Sequence, residues 1–299
     1  MKRTFASVLV LLAGILWGLL GLFSRNLMAS GFGPLEITFV RVSIAFLATA
    51  IPVLLFQRAL LRIRLRDVWC FLGSGIASML LFSVCYFHGL ELTSLAVATV
   101  LLYTSPTFVV LLSAWIFHDP ITKKKVLALL TAFAGYVLVA GVGAGQSLSL
   151  KGFLFCLASG FFYSLYSIFG KLAIRRGYSA LTLTFYSFLF CSVCCAFLAE
   201  RHVIKTALQT GGDVLWWMLG TGLVTAFAPY TLYSIGLAHM DAGKASILVS
   251  IELVAEAIVG FAVFREPISA LSCIGISLVL FSITVLNLNR FPRIAAKRK

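Results

Sequence analysis

Ten apolar segments, each near the length that crosses a bilayer, occupy almost the whole of this 299-residue chain. In hydrocarbon every backbone N–H and C=O must be satisfied within the chain, so a spanning structure is either a helix or a closed barrel. A run of about 20 apolar residues suits the helix, which rises 1.5 Å per residue across a core about 30 Å thick. The segments lie at approximately 5–27, 34–56, 69–89, 95–117, 125–143, 152–173, 180–199, 214–237, 243–264 and 268–289. Ten such helices take about 200 positions, which leaves short loops and no room for a soluble domain. The chain is 61% hydrophobic and 11% charged, against about 25% charged in a soluble domain. The surplus apolar surface calls for lipid.

The net charge of +14 invites a nucleic-acid partner, but the placement of the charge argues against one. With the N-terminus inside, 18 basic residues fall on the inner side and 5 on the outer side, with Arg41 inside a segment. The inner set includes Arg58, Arg62, Arg64 and Arg66, then Lys123, Lys124 and Lys125, and the C-terminal Arg290, Arg293, Lys297, Arg298 and Lys299. The outer set is Arg25, Lys151, Arg201, Lys205 and Arg265. That asymmetry is the positive-inside pattern. It predicts a multi-pass protein of the cell (inner) membrane with both termini cytoplasmic. The first segment, after Lys2-Arg3, is read as a retained helix, because its run exceeds a signal-peptide core and nine segments follow.

Several chemistries have no support. The seven cysteines fall mainly within apolar runs, where Cys behaves as a small hydrophobe. Cys191-x-x-Cys194-Cys195 has neither an adjacent histidine nor a second CxxC, so no metal and no cofactor is expected. There is no phosphate-binding Gly-x-x-x-x-Gly-Lys-Ser/Thr run and no HExxH, so neither ATP drive nor an enzyme is expected.

The second half repeats the first. At a spacing of 146, Phe23, Arg25, Gly31 and Thr38 meet Phe169, Lys171, Gly177 and Thr184. At 147, Tyr86, Gly89, Phe117, Asp119 and Pro120-Ile121 meet Tyr233, Gly236, Phe264, Glu266 and Pro267-Ile268. Matched glycines, prolines and acids in register indicate duplication. A duplicated five-helix block must insert in opposite orientations. The expectation is therefore an all-α integral membrane protein of ten transmembrane helices in an inverted 5+5 repeat, residues 1–146 and 147–299. Such repeats mark secondary transporters whose substrate site lies near the midplane between the halves.

The chain resembles the drug/metabolite transporter superfamily, in its ten-helix EamA branch, over essentially its whole length. The likeness rests on Leu16-Trp17-Gly18, Tyr86-Phe87-His88-Gly89-Leu90, Thr93-Ser94, Ser105-Pro106, Phe117-His118-Asp119-Pro120 and Phe264-Arg265-Glu266-Pro267. It departs at Glu252-Leu253, where the family often has Glu-Pro. The resemblance implies a carrier with a central cavity that exports amino acids or other small metabolites. A lipid or lipid-linked carrier of the same superfamily is the alternative; it would need basic groups such as Arg25 or Lys171 at a headgroup.

Ionisable residues inside the segments are costly and usually face a cavity or each other. Glu252 and Glu256, four apart, share one helix face about 6 Å apart in rise. They would titrate as a pair, which suits proton coupling or amine binding; the other reading pairs a carboxylate with Arg41 and only fixes packing. Arg41 itself is either a structural cation or a fork for a substrate carboxylate. His88 is either an interfacial residue or a gate or proton group. Trp17, Tyr86, Tyr103, Tyr163, Tyr166, Tyr230 and Tyr233 supply aromatic bodies and hydroxyls suited to an organic solute, and the repeat mates Tyr86 and Tyr233 could line one cavity. Gly14, Gly18 and Gly21 form a close-approach face. Ser94 and Asp241 read as N-caps, and Pro106 and Pro229 as kinks. The expected partners are a small-molecule substrate and membrane lipid. Oligomeric state is not encoded in any feature of the chain.

Overall fold

The structure is a computed structural model in which residues 3–140, 149–210, 213–265 and 269–287 are described. Among the described residues all regular structure is helical. In chain order the long helical stretches are Thr4–Ala29, Pro34–Phe56, Leu65–Leu92, Ala96–Phe117, Lys123–Ala140, Leu150–Arg175, Ala180–Leu198, 214–238, Ala242–Phe264 and Ala270–Asn287. They are called the first to tenth helix below. Eight are long and apolar enough to cross a membrane. The other two are the fifth, which opens on Lys123, Lys124 and Lys125, and the eighth, which carries Thr221, Thr225, Pro229, Tyr230, Thr231 and Tyr233. The expected C-terminal basic cluster and the Glu266-Pro267-Ile268 repeat match lie outside the described residues.

The outside of the bundle is apolar. Phe56, Trp115 and Phe197 are each more than three-quarters exposed, as lipid-facing side chains are. Inside, glycines set the spacing. A Cβ on Gly14 or Gly18 would stand 2.5 Å from Ile251 or Ala255 of the ninth helix. Gly135 and Gly275 bring the fifth and tenth helices together, each lacking a Cβ that would meet the other's carbonyl at 2.6 Å. Small residues at a crossing let backbones approach this closely.

The packing maps onto itself when the two halves are exchanged. The third helix packs on the sixth as the eighth packs on the first, while second–seventh, fourth–ninth and fifth–tenth are pairs of mates. Details follow the same rule. Gly73 receives the Phe169 ring and its mate Gly220 receives the Phe23 ring; Gly89 faces Cys156 and its mate Gly236 faces Val10. Left-handed backbone occurs at Gly31 and Gly177, φ 88° and 90°, and at His118 and Arg265, φ 59° and 55°. Each pair is one repeat apart. At Gly31 and Gly177 the missing Cβ removes the usual steric penalty. The third and eighth helices each contain a π-helical segment, Gly73–Leu80 and Leu223–Phe227. The fourth and ninth helices break at the mates Tyr103 and Ser250. Ser94 and Asp241 cap them, accepting from Val97 N at 3.3 Å and Lys244 N at 2.8 Å, as their spacing predicts.

Candidate functional site

Six helices converge on a small central cavity of about 30 Å³, lined by Trp17, Ser78, Ser105, Val109, Tyr163, Ser164, Tyr166, Ser167, Tyr230, Tyr233, Ser246 and Val249. That is about the volume one water occupies in the liquid. Its aromatic wall is continuous. The Trp17 ring lies edge-on to Tyr230 at 4.9 Å and tilted to Tyr233 at 5.6 Å, and Tyr166 meets Tyr230 at 4.8 Å. Hydroxyls in this wall are satisfied across helices: Tyr166 Oη with Ser234 Oγ at 2.8 Å, and Tyr233 Oη with Ser167 Oγ at 2.6 Å. In an apolar bundle such bonds fix the rotamers that shape a cavity.

Glu252 stands beside this wall, in the first turn after the break in the ninth helix. A carboxylate is favoured at a helix N-terminus. Tyr163 Oη donates to Glu252 Oε2 at 3.3 Å. The break itself is anchored from the fifth helix. The Tyr136 hydroxyl donates to Ser250 Oγ, and the Tyr136 ring stacks on Tyr103 at 4.7 Å. Glu256, one turn further, opens instead into a second cavity of about 400 Å³, whose lining includes Gly18, Gly21, Arg25, Thr99, Val139 and Phe264. Arg25 lies 4.3 Å over the Phe264 ring at its rim. Glu252 and Glu256 thus lie one turn apart between a closed centre and an open vestibule.

The opposite end of the bundle is shut. Arg175 lies 4.5 Å over Phe117, the mate of Phe264, and its Nη2 stands 3.8 Å from Asp119 Oδ1. Ser113 Oγ donates to Asp119 Oδ2 at 2.5 Å. Buried Lys125 bridges Asp241 Oδ1 at 2.8 Å and the Pro120 carbonyl at 3.1 Å. Lys171, the mate of Arg25, donates to the carbonyls of Leu237 and Met240 at 2.7 and 2.6 Å, capping the eighth helix. Buried Asp67 pairs with Arg176 at 3.2 Å and accepts from Tyr178 at 2.8 Å. Equivalent residues therefore frame an open vestibule at one end and a polar latch at the other.

Of the residues singled out in the sequence, Trp17, Tyr163, Tyr166, Tyr230 and Tyr233 meet at the central cavity. Tyr86 does not join Tyr233 there: it packs on Phe82 and Phe87, and only its neighbour Phe82 reaches Tyr163. Tyr103 is buried in the stack on Tyr136. His88 is exposed, 3.4 Å from Glu91 Oε2, and its ring lies by Phe155; it lines neither cavity. The Arg41–Glu252 ion pair of the alternative, packing-only reading is not formed among the described residues. Arg41 Nη2 donates to the Thr225 carbonyl at 2.9 Å, and the guanidinium lies 5.9 Å from the Tyr230 ring centre. The cavity serines were not legible. Ser164 and Ser246 bond carbonyls of their own helices, Phe161 and Gly243, a habit shared by serines anywhere in a membrane helix. Cys191 and Cys195 lie one turn apart with sulfurs at 3.9 Å. Among the described residues no cluster of three His, Cys, Asp or Glu could hold a metal ion.

Comparison with known proteins agrees with this architecture. The profile of the EamA-like transporter family matches twice, over residues 4–141 and 150–288. An uncharacterized transporter of Archaeoglobus fulgidus is 27% identical over 286 residues, covering 94% of this chain and 96% of the relative. The uncharacterized transporter YetK of Bacillus subtilis is 27% identical over 230 residues, 74% of this chain and 68% of its own. A protein crystal structure shares the fold at a TM-score of 0.79 and 19% identity, covering 96% of this chain and 98% of its own.

Proposed function

The chain belongs to the EamA-like transporter family, and from that premise we propose that it is a secondary active carrier of a small amino-acid-like solute, working outward with proton exchange. It is a multi-pass membrane protein and a transporter of the drug/metabolite type rather than an enzyme. In the proposed mechanism all ten helices cross the inner membrane as two inverted halves, residues 1–146 and 147–299. The halves rock about the central cavity, exposing it to one side at a time.

The observation that carries this reading is the difference between the two ends. The repeat mates Phe264 and Phe117 lie under Arg25 at an open vestibule and under Arg175 in a closed latch, and Lys171, the mate of Arg25, is held in that latch by two backbone carbonyls. A channel would need both ends open together. An alternating carrier needs one shut while the other is open. Glu252 and Glu256, placed between the closed centre and the vestibule, are the proposed proton-exchanging pair. A lipid carrier is less favoured, because the Lys171 ammonium that would meet a headgroup is held by two backbone carbonyls.

The test is transport of a radiolabelled metabolite library by the purified protein in sealed vesicles, with and without a pH gradient. A solute accumulated only under the gradient supports the reading. Steady leak of solutes in both conditions would identify a channel instead.

A further inference from the structure

Resting on the carrier reading above, the geometry points to Arg41, which stands behind Tyr230 of the central cavity's wall, as the group that takes the carboxylate of a zwitterionic amino-acid substrate when that cavity opens. Arg41 lies seven residues into the second helix, about 10 Å along its axis. A guanidinium at that depth is costly unless it meets an anion, a polar group or water. Among the described residues it forms no ion pair.

Its bond to the Thr225 carbonyl has a local cause. Pro229, four residues after Thr225, has no N–H to give the Thr225 carbonyl, and Arg41 Nη2 donates to that carbonyl instead. This bond tethers the second helix to the π-helical segment of the eighth and aims the guanidinium at Tyr230. A purely structural staple would be complete with that contact. Yet the Nε of Arg41 is buried and has no partner. A buried donor left unpaired carries a penalty that a ligand oxygen would remove. The planar fork matches the two oxygens of a carboxylate.

The rest of the cavity supplies the complement. Tyr230, against Arg41, and Tyr163, bonded to Glu252, both line the central cavity. A cation thus backs one tyrosine of the wall and a carboxylate backs another. Because the two are not paired with each other, each remains to meet a charge on the solute. An amino acid carries both.

The test uses the full-length protein in vesicles loaded with a mixture of radiolabelled proteinogenic L-amino acids. Unlabelled amino acids and their carboxamides compete for export; the carboxamide keeps the ammonium and side chain and loses only the anionic group. Wild type should prefer acid over amide by about 10- to 100-fold, the worth of a hydrogen bond to a charged group. Arg41→Gln should bring the two near parity, and Arg41→Lys, which keeps the charge without the fork, should fall between. Each preference is a ratio within one preparation, so lower protein yield does not mimic it. If Arg41→Gln does not fold, wild type and Arg41→Lys decide. Equal competition in wild type, or a full preference surviving in Arg41→Gln, would overturn the subsite while labelled export left the carrier reading standing. No export of any label by wild type would remove the amino-acid reading and the subsite together.

Discussion

Among the described residues Glu252 makes one side-chain hydrogen bond, from Tyr163 at 3.3 Å, and that economy makes its role separable. Glu252→Gln keeps the shape and cannot ionise. It should abolish gradient-driven accumulation while equilibrating exchange of solute survives. Membrane abundance of the same variant checks the packing alternative, since a residue needed only for structure would lower it. Normal abundance with unchanged gradient dependence would exclude both roles. Tyr163→Phe should act in the same direction but more weakly, because a contact of 3.3 Å is a long hydrogen bond. At this scale the sequence was legible where a residue type is rare in lipid. Glu252, Arg41 and the tyrosines of the sixth and eighth helices stood out for that reason. It failed where position depends on rotation about a helix axis. Tyr86 and Tyr233 are mates in the repeat, yet of the two only Tyr233 lines the central cavity, while Tyr86 packs on Phe82 and Phe87.

At the scale of elements, glycine crossings and the latch make distinct predictions. Gly18→Val should lower the thermal midpoint in detergent, because its Cβ would press on Ala255 Cβ at 2.5 Å and on the Glu252 carbonyl at 2.6 Å. Overpacking of this kind costs about 1–3 kcal/mol or more where backbone must shift. Gly21→Ala is the control: its Cβ would find only Glu256 Oε1, at 3.9 Å, and should leave the midpoint unchanged. The spacing of Gly14, Gly18 and Gly21 announced a close face but not that it ends at Gly18. Lys125→Gln tests the latch, because it removes the Asp241 ion pair and leaves the Asp241 cap in place. A cysteine at Ser246, which lines the centre, should then react faster with a thiol reagent added on the side of the Arg58, Arg62 and Arg64 loop. An unchanged rate would mean that Lys125 does not hold that end shut. The latch was not read from sequence, since Asp119, Lys125 and Asp241 each look like ordinary loop charges until the fold brings them together.

For the whole molecule, hydropathy located the helices well because lipid imposes a length on each. It was less decisive for the fifth and eighth, where lysines and a Pro-Tyr-Thr run dilute the apolar signal. The positive-inside asymmetry predicts cytoplasmic termini, so a reporter fused after Lys299 should be active only as a cytoplasmic tag. A periplasmic signal would overturn the orientation or the ten-span count. The duplication was legible in matched glycines and prolines, and the fold repeats it in matched helix breaks and left-handed turns.

Two copies of one unit need not make two equal doors. The end that carries Lys125, Asp119 and Asp241 is bolted by ion pairs, whereas Lys125 has Ser272 at the equivalent place in the second copy. If the halves rock as proposed, an idle carrier of this build would dwell in one orientation, and a solute arriving from the bolted side would wait for the minor one. Apparent affinity on that side is weakened by the fraction of molecules facing it. Half-saturation would therefore differ between the two faces even for one unchanged pocket, and loosening the bolt would bring the two values together without altering the final gradient that the coupling permits.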